Sequence, residues 1–160
     1  MGSLVIYDLD GTLLDGDTPY SSLRNHYQEN SPEMEKAWGY WNKYSQGEID
    51  DREFFTGVYS LFEGISVQEV IDTTSTMDYF YDVEVITDYF KEREIPQMIL
   101  SHSPQEAVDY HVKRLSLDSG TGLSIKSDNG IYTGELDDDI HTQKLLDGKA
   151  NFIDSLFSNK

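Results

Sequence analysis

Two carboxylates, Asp8 and Asp10, stand one residue apart at the end of the apolar run Leu4-Val5-Ile6-Tyr7. In a strand, residues i and i+2 point the same way, so both acids can face the crevice beyond the strand's carboxyl end, where open α/β sheets bind ligands. Charge placed beside a core strand is costly unless something pairs it. Two converging carboxylates suit a hard cation such as Mg²⁺, which takes oxygen ligands. They also suit a division of labour between a nucleophile and a general acid/base. Gly11 lets the chain turn sharply and brings its N–H close to an anion, and Thr12 can bond back to the turn and orient the acids.

The elements that must hold these groups can be read from the same sequence. Residues 4–8 predict a buried strand closed by Asp10-Gly11. Residues 17–80 predict four successive helices rich in Trp, Tyr and Phe, with Ser-Pro at 31–32 and a capping-box spacing at Ser66 and Glu69. These helices form a subdomain separate from the strand. A helix in VEVITDYFKERE follows, then a strand in PQMILSHS and a helix opened by Pro104. GLSIKS predicts a third strand, DNG a tight turn and IYTGEL the return, and DGKANFIDSLF closes as a helix. The order predicts an α/β fold: a Rossmann-like parallel sheet built from residues 1–15 and 82–160, with residues 16–81 inserted as a helical cap.

Composition narrows the function classes. The net charge is −18, from 30 acids against 12 bases, which excludes a basic footprint for nucleic acid or an anionic membrane surface. No cysteine is present, so disulfide, thiolate and zinc-thiolate chemistry are excluded. No 18-residue apolar run occurs, and the N-terminus carries no basic leader, which predicts a cytoplasmic protein.

The string VIYDLDGTLLD resembles the first signature of the haloacid dehalogenase superfamily of phosphatases and phosphotransferases. The resemblance continues in Ser101 of MILSHSP, at the place of the family's second signature, and in Lys149 of LLDGKANF, at the place of the third. The insert is similar to the type-one cap of the phosphoserine-phosphatase-like branch, through Tyr44, Gly47, Ile49, Glu53 and Phe54, and the run from Gly130 to Gly134, ahead of Lys149, resembles a further pattern of that branch. The resemblance implies a Mg²⁺-dependent phosphomonoester hydrolase acting on a small phosphorylated metabolite. Asp8 would attack phosphorus to form an aspartyl-phosphate, and Asp10 would protonate the leaving oxygen and then activate water. Gly11, Thr12, Ser101, His102 and Lys149 would hold the phosphate. Mg²⁺ would sit on the Asp8 carboxylate and the Asp10 main-chain carbonyl.

Rival readings stand beside these. Ser103 reads as a helix N-cap before Pro104, and His102 also reads as a solvated loop residue. Lys144 competes with Lys149. Asp137-Asp138-Asp139 reads as an acidic surface run rather than a metal site. His26, His111 and His141 share no ligand-like spacing. The aromatics Trp38, Tyr40, Trp41, Tyr44, Phe54, Phe55 and Tyr59 read as core rather than as a substrate cage. Arg24 and Arg52 could read a substrate carboxylate or simply pair at the surface.

The family's fourth signature, GDxxxD, supplies a further metal-ligand acid, and nothing of that form follows Lys149. The expectation is weak metal binding, impaired turnover by this chain alone, and an exposed edge on the first strand that invites association into a homo-oligomer. Two alternatives therefore accompany the phosphatase reading: a non-catalytic phosphate-binding or regulatory relative, and one part of a split or oligomeric enzyme.

Overall fold

The computed structural model describes residues 3–158. Strand β1 (Val5–Tyr7) leads into four helices: α1 (Thr18–His26), α2 (Pro32–Ser45), α3 (Asp51–Ser60) and α4 (Val67–Ser75). The chain returns through α5 (Val83–Lys91), β2 (Gln97–Pro104), α6 (Gln105–Arg114) and β3 (Ser119–Leu123). A hairpin of β4 (Ile125–Asp128) and β5 (Ile131–Leu136) follows, then α7 (Ile140–Leu146) and α8 (Lys149–Phe157). Among the described residues no helix is long and apolar enough to cross a membrane.

The main sheet is parallel, in the order β1-β2-β3, which leaves β1 at an edge. Val5 lies opposite Gln97 and Tyr7 opposite Ile99. The chain therefore leaves β1 at Asp8 beside the Leu100–Ser101 segment of β2.

The helix starts follow from local chemistry. Asp17, Ser31, Asp50 and Ser66 each accept a hydrogen bond from a first-turn N–H of α1 to α4 respectively. Asp50/Glu53 and Ser66/Glu69 both close as reciprocal capping boxes.

Three features differ from the sequence reading. The segment GLSIKS is not one strand. Gly122 and Leu123 end β3, parallel to β2, whereas Ile125 opens β4 of a separate antiparallel pair. The Ser-Gly-Thr-Gly run at 119–122 lacks strand character by composition, yet it is the strand that α6 approaches most closely. A Cβ on Gly120 would stand 2.5 Å from Val108 Cγ1, and one on Gly122 would stand 2.6 Å from the Ser103 carbonyl oxygen. These glycines are close-approach residues rather than breakers.

Second, α7 is an additional helix. Asp139, the last of the acidic run, caps it by accepting from the N–H groups of His141 and Thr142. Third, the helical insert does not own a separate core. Phe62, Ile65 and Val70 of the insert belong to one buried cluster with Leu100, Leu123, Tyr132 and Phe152. The two chain crossings between insert and sheet pair with one another: Asp15 N–H donates to Asp78 O at 2.9 Å, and Phe80 N–H to Leu13 O at 3.1 Å.

Candidate active site

Asp8, Asp10, Ser101, Ser103 and Lys149 converge where β1 and β2 end and α8 begins. Lys149 is the first residue of α8, after Gly148 in a left-handed conformation at φ 108°. Its Nζ lies 2.7 Å from Asp8 Oδ1, which also accepts the N–H of Leu9 at 2.8 Å. Both side chains are partly open to solvent. The ammonium and the Leu9 N–H both engage Oδ1, which leaves the second carboxylate oxygen to the crevice.

Asp10 is held differently. Its Oδ1 accepts from the Thr18 N–H at 2.8 Å and from the Thr18 hydroxyl at 2.7 Å, and its Oδ2 accepts from the Ser103 hydroxyl. Burial pushes its carboxyl up to about 6, with Asp17 adding to the rise while the bonds from Ser103 and Thr18 oppose it. A carboxyl that titrates near neutrality can give a proton in one step and take one in the next.

Behind Asp10 the hydrogen bonds continue. Thr18 Oγ1 lies 3.3 Å from Thr74 Oγ1, which lies 2.8 Å from His111 Nε2; His111 Nδ1 lies 2.7 Å from the Tyr79 hydroxyl. His111 is buried, and desolvation, reinforced by Arg114, lowers it to about 4, so the ring is neutral. The network links Asp10 to the paired crossings between insert and sheet, because Tyr79 bridges to Leu14.

Other residues singled out in the sequence lie as follows. Ser101 is buried and its Oγ accepts the Ser103 N–H at 3.1 Å. Ser103 is not an N-cap: α6 has no side-chain cap, and the Ser103 hydroxyl goes to Asp10 instead. The expectation that the Gly11 N–H stands close to an anion is corrected, whereas Thr12 does bond back within the turn. Gly11 N–H donates to Leu14 O at 2.9 Å and to Gly16 O at 3.1 Å, and Thr12 N–H to Leu9 O at 3.3 Å. The turn needs these donors to close on itself, with Gly11 at φ 70°. Only the Thr12 side chain remains outward.

His102 stacks on Phe55 at 4.2 Å between ring centroids and places Nε2 at 3.0 Å from Leu145 O. Burial, with Lys149 nearby, lowers it below the usual histidine range, so it is neutral and already engaged. Arg52 is committed to α7, with Nη1 at 2.8 Å from Gln143 Oε1 and Nη2 at 2.7 Å from Asp147.

Sequence reasoning missed Ser103, Thr18, Thr74 and His111. The signal for Ser103 was available: Ser101 and Ser103 alternate along β2 just as Asp8 and Asp10 do beyond β1. Thr18 and Thr74 carry no local mark.

Mg²⁺ can be tested against the donor set. Asp10 has both carboxylate oxygens occupied, so it could serve only through its main-chain carbonyl. Asp8 supplies one partly exposed carboxylate. Among the described residues no group of three or more His, Asp or Glu side chains is disposed to hold a metal. One carboxylate and one carbonyl fit a Mg²⁺ that keeps much of its water and takes further oxygens from a phosphate.

The aromatic residues divide. Tyr59 is fully buried and donates to the His102 carbonyl. Tyr20, Trp38, Trp41, Tyr44, Phe54 and Phe55 instead line a cavity of about 450 Å³ between α1, α2 and α3. Trp38 is 47% exposed and Trp41 50%. The expectation that these rings are core holds for Tyr59 and Phe54, with Tyr40, Tyr44 and Phe55 packed against the same cluster, and is corrected for Trp38 and Trp41, which three short helices leave half in solvent.

A family model described as haloacid dehalogenase-like hydrolase matches residues 5–156. A phosphoserine phosphatase of Campylobacter jejuni subsp. doylei is 26% identical over 134 residues, covering 84% of this chain and 62% of that protein. The chain thus spans less than two thirds of that relative's length. A structure described as a phospho-aspartyl intermediate analogue of phosphoserine phosphatase superposes with a TM-score of 0.77 at 17% identity, over 97% of this chain and 70% of the other. A phosphoserine phosphohydrolase-like protein from Francisella tularensis gives 0.77 at 15%, over 98% and 73%. At these identities the structural likeness establishes the fold.

Proposed function

The chain belongs to the haloacid dehalogenase-like hydrolases, and from that premise we propose that it is built as a phosphomonoesterase that works through an aspartyl-phosphate on Asp8. The observation that carries the reading is the contrast between neighbouring acids. Asp8 is ion-paired and open, as a nucleophile needs, whereas Asp10 is enclosed and raised to about 6, as a proton donor and acceptor needs.

In this reading an Asp8 oxygen attacks phosphorus while Lys149 offsets charge on the phosphoryl oxygens. Asp10 gives its proton to the departing alkoxide. The Asp10 carboxylate so formed then takes a proton from water, which attacks phosphorus and releases Asp8 and phosphate. Ser101 supplies a hydroxyl to the phosphoryl group, and Ser103 and Thr18 fix the Asp10 carboxyl. Mg²⁺, on Asp8 and the Asp10 carbonyl, would supply further charge neutralisation to a dianionic substrate. Residues 1–15 and 82–160 act as the chemical core and 16–81 as the cap.

The test is hydrolysis of an aryl phosphate with and without Mg²⁺, beside Asp8→Asn. We expect Mg²⁺-dependent turnover that falls roughly 10⁴-fold in Asp8→Asn. Activity that survives the substitution rejects Asp8 as nucleophile. Tight binding of phosphate or beryllofluoride without turnover favours a phosphate-binding module. The open edge of β1 favours a further arrangement, in which a strand from another chain completes the sheet. Its signature is specific activity that rises with protein concentration together with a dimer in light scattering.

A further inference from the structure

The cavity between α1, α2 and α3 adjoins the crevice at two points. Asp17, on its wall, caps α1 one residue before Thr18, which holds Asp10. Phe55, on the opposite wall, stacks on His102, which lies between Ser101 and Ser103. An ester whose phosphate reaches Asp8 therefore has this cavity beside it for the rest of the molecule. Besides the six rings, the walls are Pro19, Leu23, Ala37 and Val58, with Asp17 as the one charged group. No basic residue lines it. Arg52 is tied to Gln143 and Asp147, and Arg24 is not among the lining residues.

A carboxylate placed here would meet rings and a second carboxylate, and would lose its hydration without a partner. An alkyl or aryl body would lose only water from its surface. The space, about 450 Å³, lies within the range of small-molecule sites and exceeds what a serine side needs.

We propose that the leaving group is a bulky apolar alcohol, alkyl or aryl, without a carboxylate, bound among Trp38, Trp41, Tyr44 and Phe54. The proposal rests on the phosphomonoesterase reading and adds the substrate class. It separates this chain from the phosphoserine specificity that its relatives' names describe.

The protein carries its own reporter, because its 2 tryptophans, Trp38 and Trp41, both line the cavity. Tryptophan fluorescence is titrated in the full chain with methyl, ethyl, butyl and hexyl phosphate, with O-phosphoserine, and with 1-hexanol. Inorganic phosphate and beryllofluoride binding are followed in parallel by calorimetry. We expect affinity to rise about fourfold per added methylene, a saturable shift with 1-hexanol alone, and phosphoserine binding no tighter than ethyl phosphate. Trp41→Ala should flatten the alkyl series and leave phosphate and beryllofluoride affinity unchanged.

A flat series in the wild type, or phosphoserine binding tighter than butyl phosphate, overturns the proposal while anion binding keeps the reading of the crevice. Hexanol binding without any anion binding defeats that reading and the proposal with it. A dimer whose formation alone shifts the tryptophan spectrum, with no response to hexanol, assigns the aromatic face to a second copy and overturns the proposal.

Discussion

The crevice and the neighbouring cavity are built on opposite principles. Around Asp10 both carboxylate oxygens have named donors, and the partners have partners of their own as far as Tyr79. Around the cavity almost nothing is directional, and two large rings stand half in solvent. Hydrogen bonds fix position to within tenths of an ångström, whereas apolar walls discriminate by size and by the cost of stranding a polar group. On the proposed reading, this arrangement holds the transferred group as invariant and leaves the alcohol loosely defined.

Substitutions in the crevice should accordingly act on every substrate alike, and the largest such effect after loss of the nucleophile belongs to Lys149. Lys149→Ala removes the cation beside Asp8 and should lower kcat/KM roughly 10²-fold, by the same factor for short and long alkyl phosphates. Steady-state kinetics across the series checks this; a factor that varies with chain length breaks the separation between the two regions.

Ser103→Ala should cost about tenfold in kcat. Because the Ser103 bond lowers the Asp10 carboxyl, its loss should move the titration upward from about 6. Carbon-13 carboxyl resonances followed against pH measure that shift directly, and an unmoved midpoint would mean that the bond does not tune Asp10.

The smallest effect is on stability. The Asp10 carboxyl is raised in the folded chain, so the folded state binds the extra proton between the ordinary aspartate value and about 6. Its contribution to stability is full at low pH and is lost as pH rises through about 6. Asp10→Asn should thus be about 2 to 3 kcal/mol more stable than the wild type at pH 8 and close to it near pH 4, although it is catalytically impaired. Denaturant unfolding at the two pH values tests the sign.

Much of the crevice was legible because its groups sit at strand ends, where alternation and a single glycine mark them. Asp8, Asp10 and Lys149 do come together. What sequence could not reveal was tertiary. Thr18, Thr74 and His111 meet only because α4 packs on α6 and α1. The Gly11 N–H is spent on closing its own turn, onto Leu14 and Gly16, a demand that the residue types alone do not display. The rings of α2 and α3 have a helical apolar spacing that serves a core and a cavity equally well, so only the packed helices distinguish them. β3 was hidden by its own glycines, whose purpose is visible only once Val108 and Val112 lie against them.

The paired crossings at 13–15 and 78–80 have an engineering consequence. They bring the insert's two ends within one interstrand spacing, about 5 Å, so the insert is joined to the sheet as a hairpin is joined to its turn. Any helical module with adjacent termini can be spliced at that ribbon without stretching either linker. The condition is that it presents an apolar face to Leu100, Leu123 and Tyr132. Exchange of the whole insert, rather than point substitution within it, is therefore the natural unit for moving the proposed alcohol preference onto another copy of this sheet.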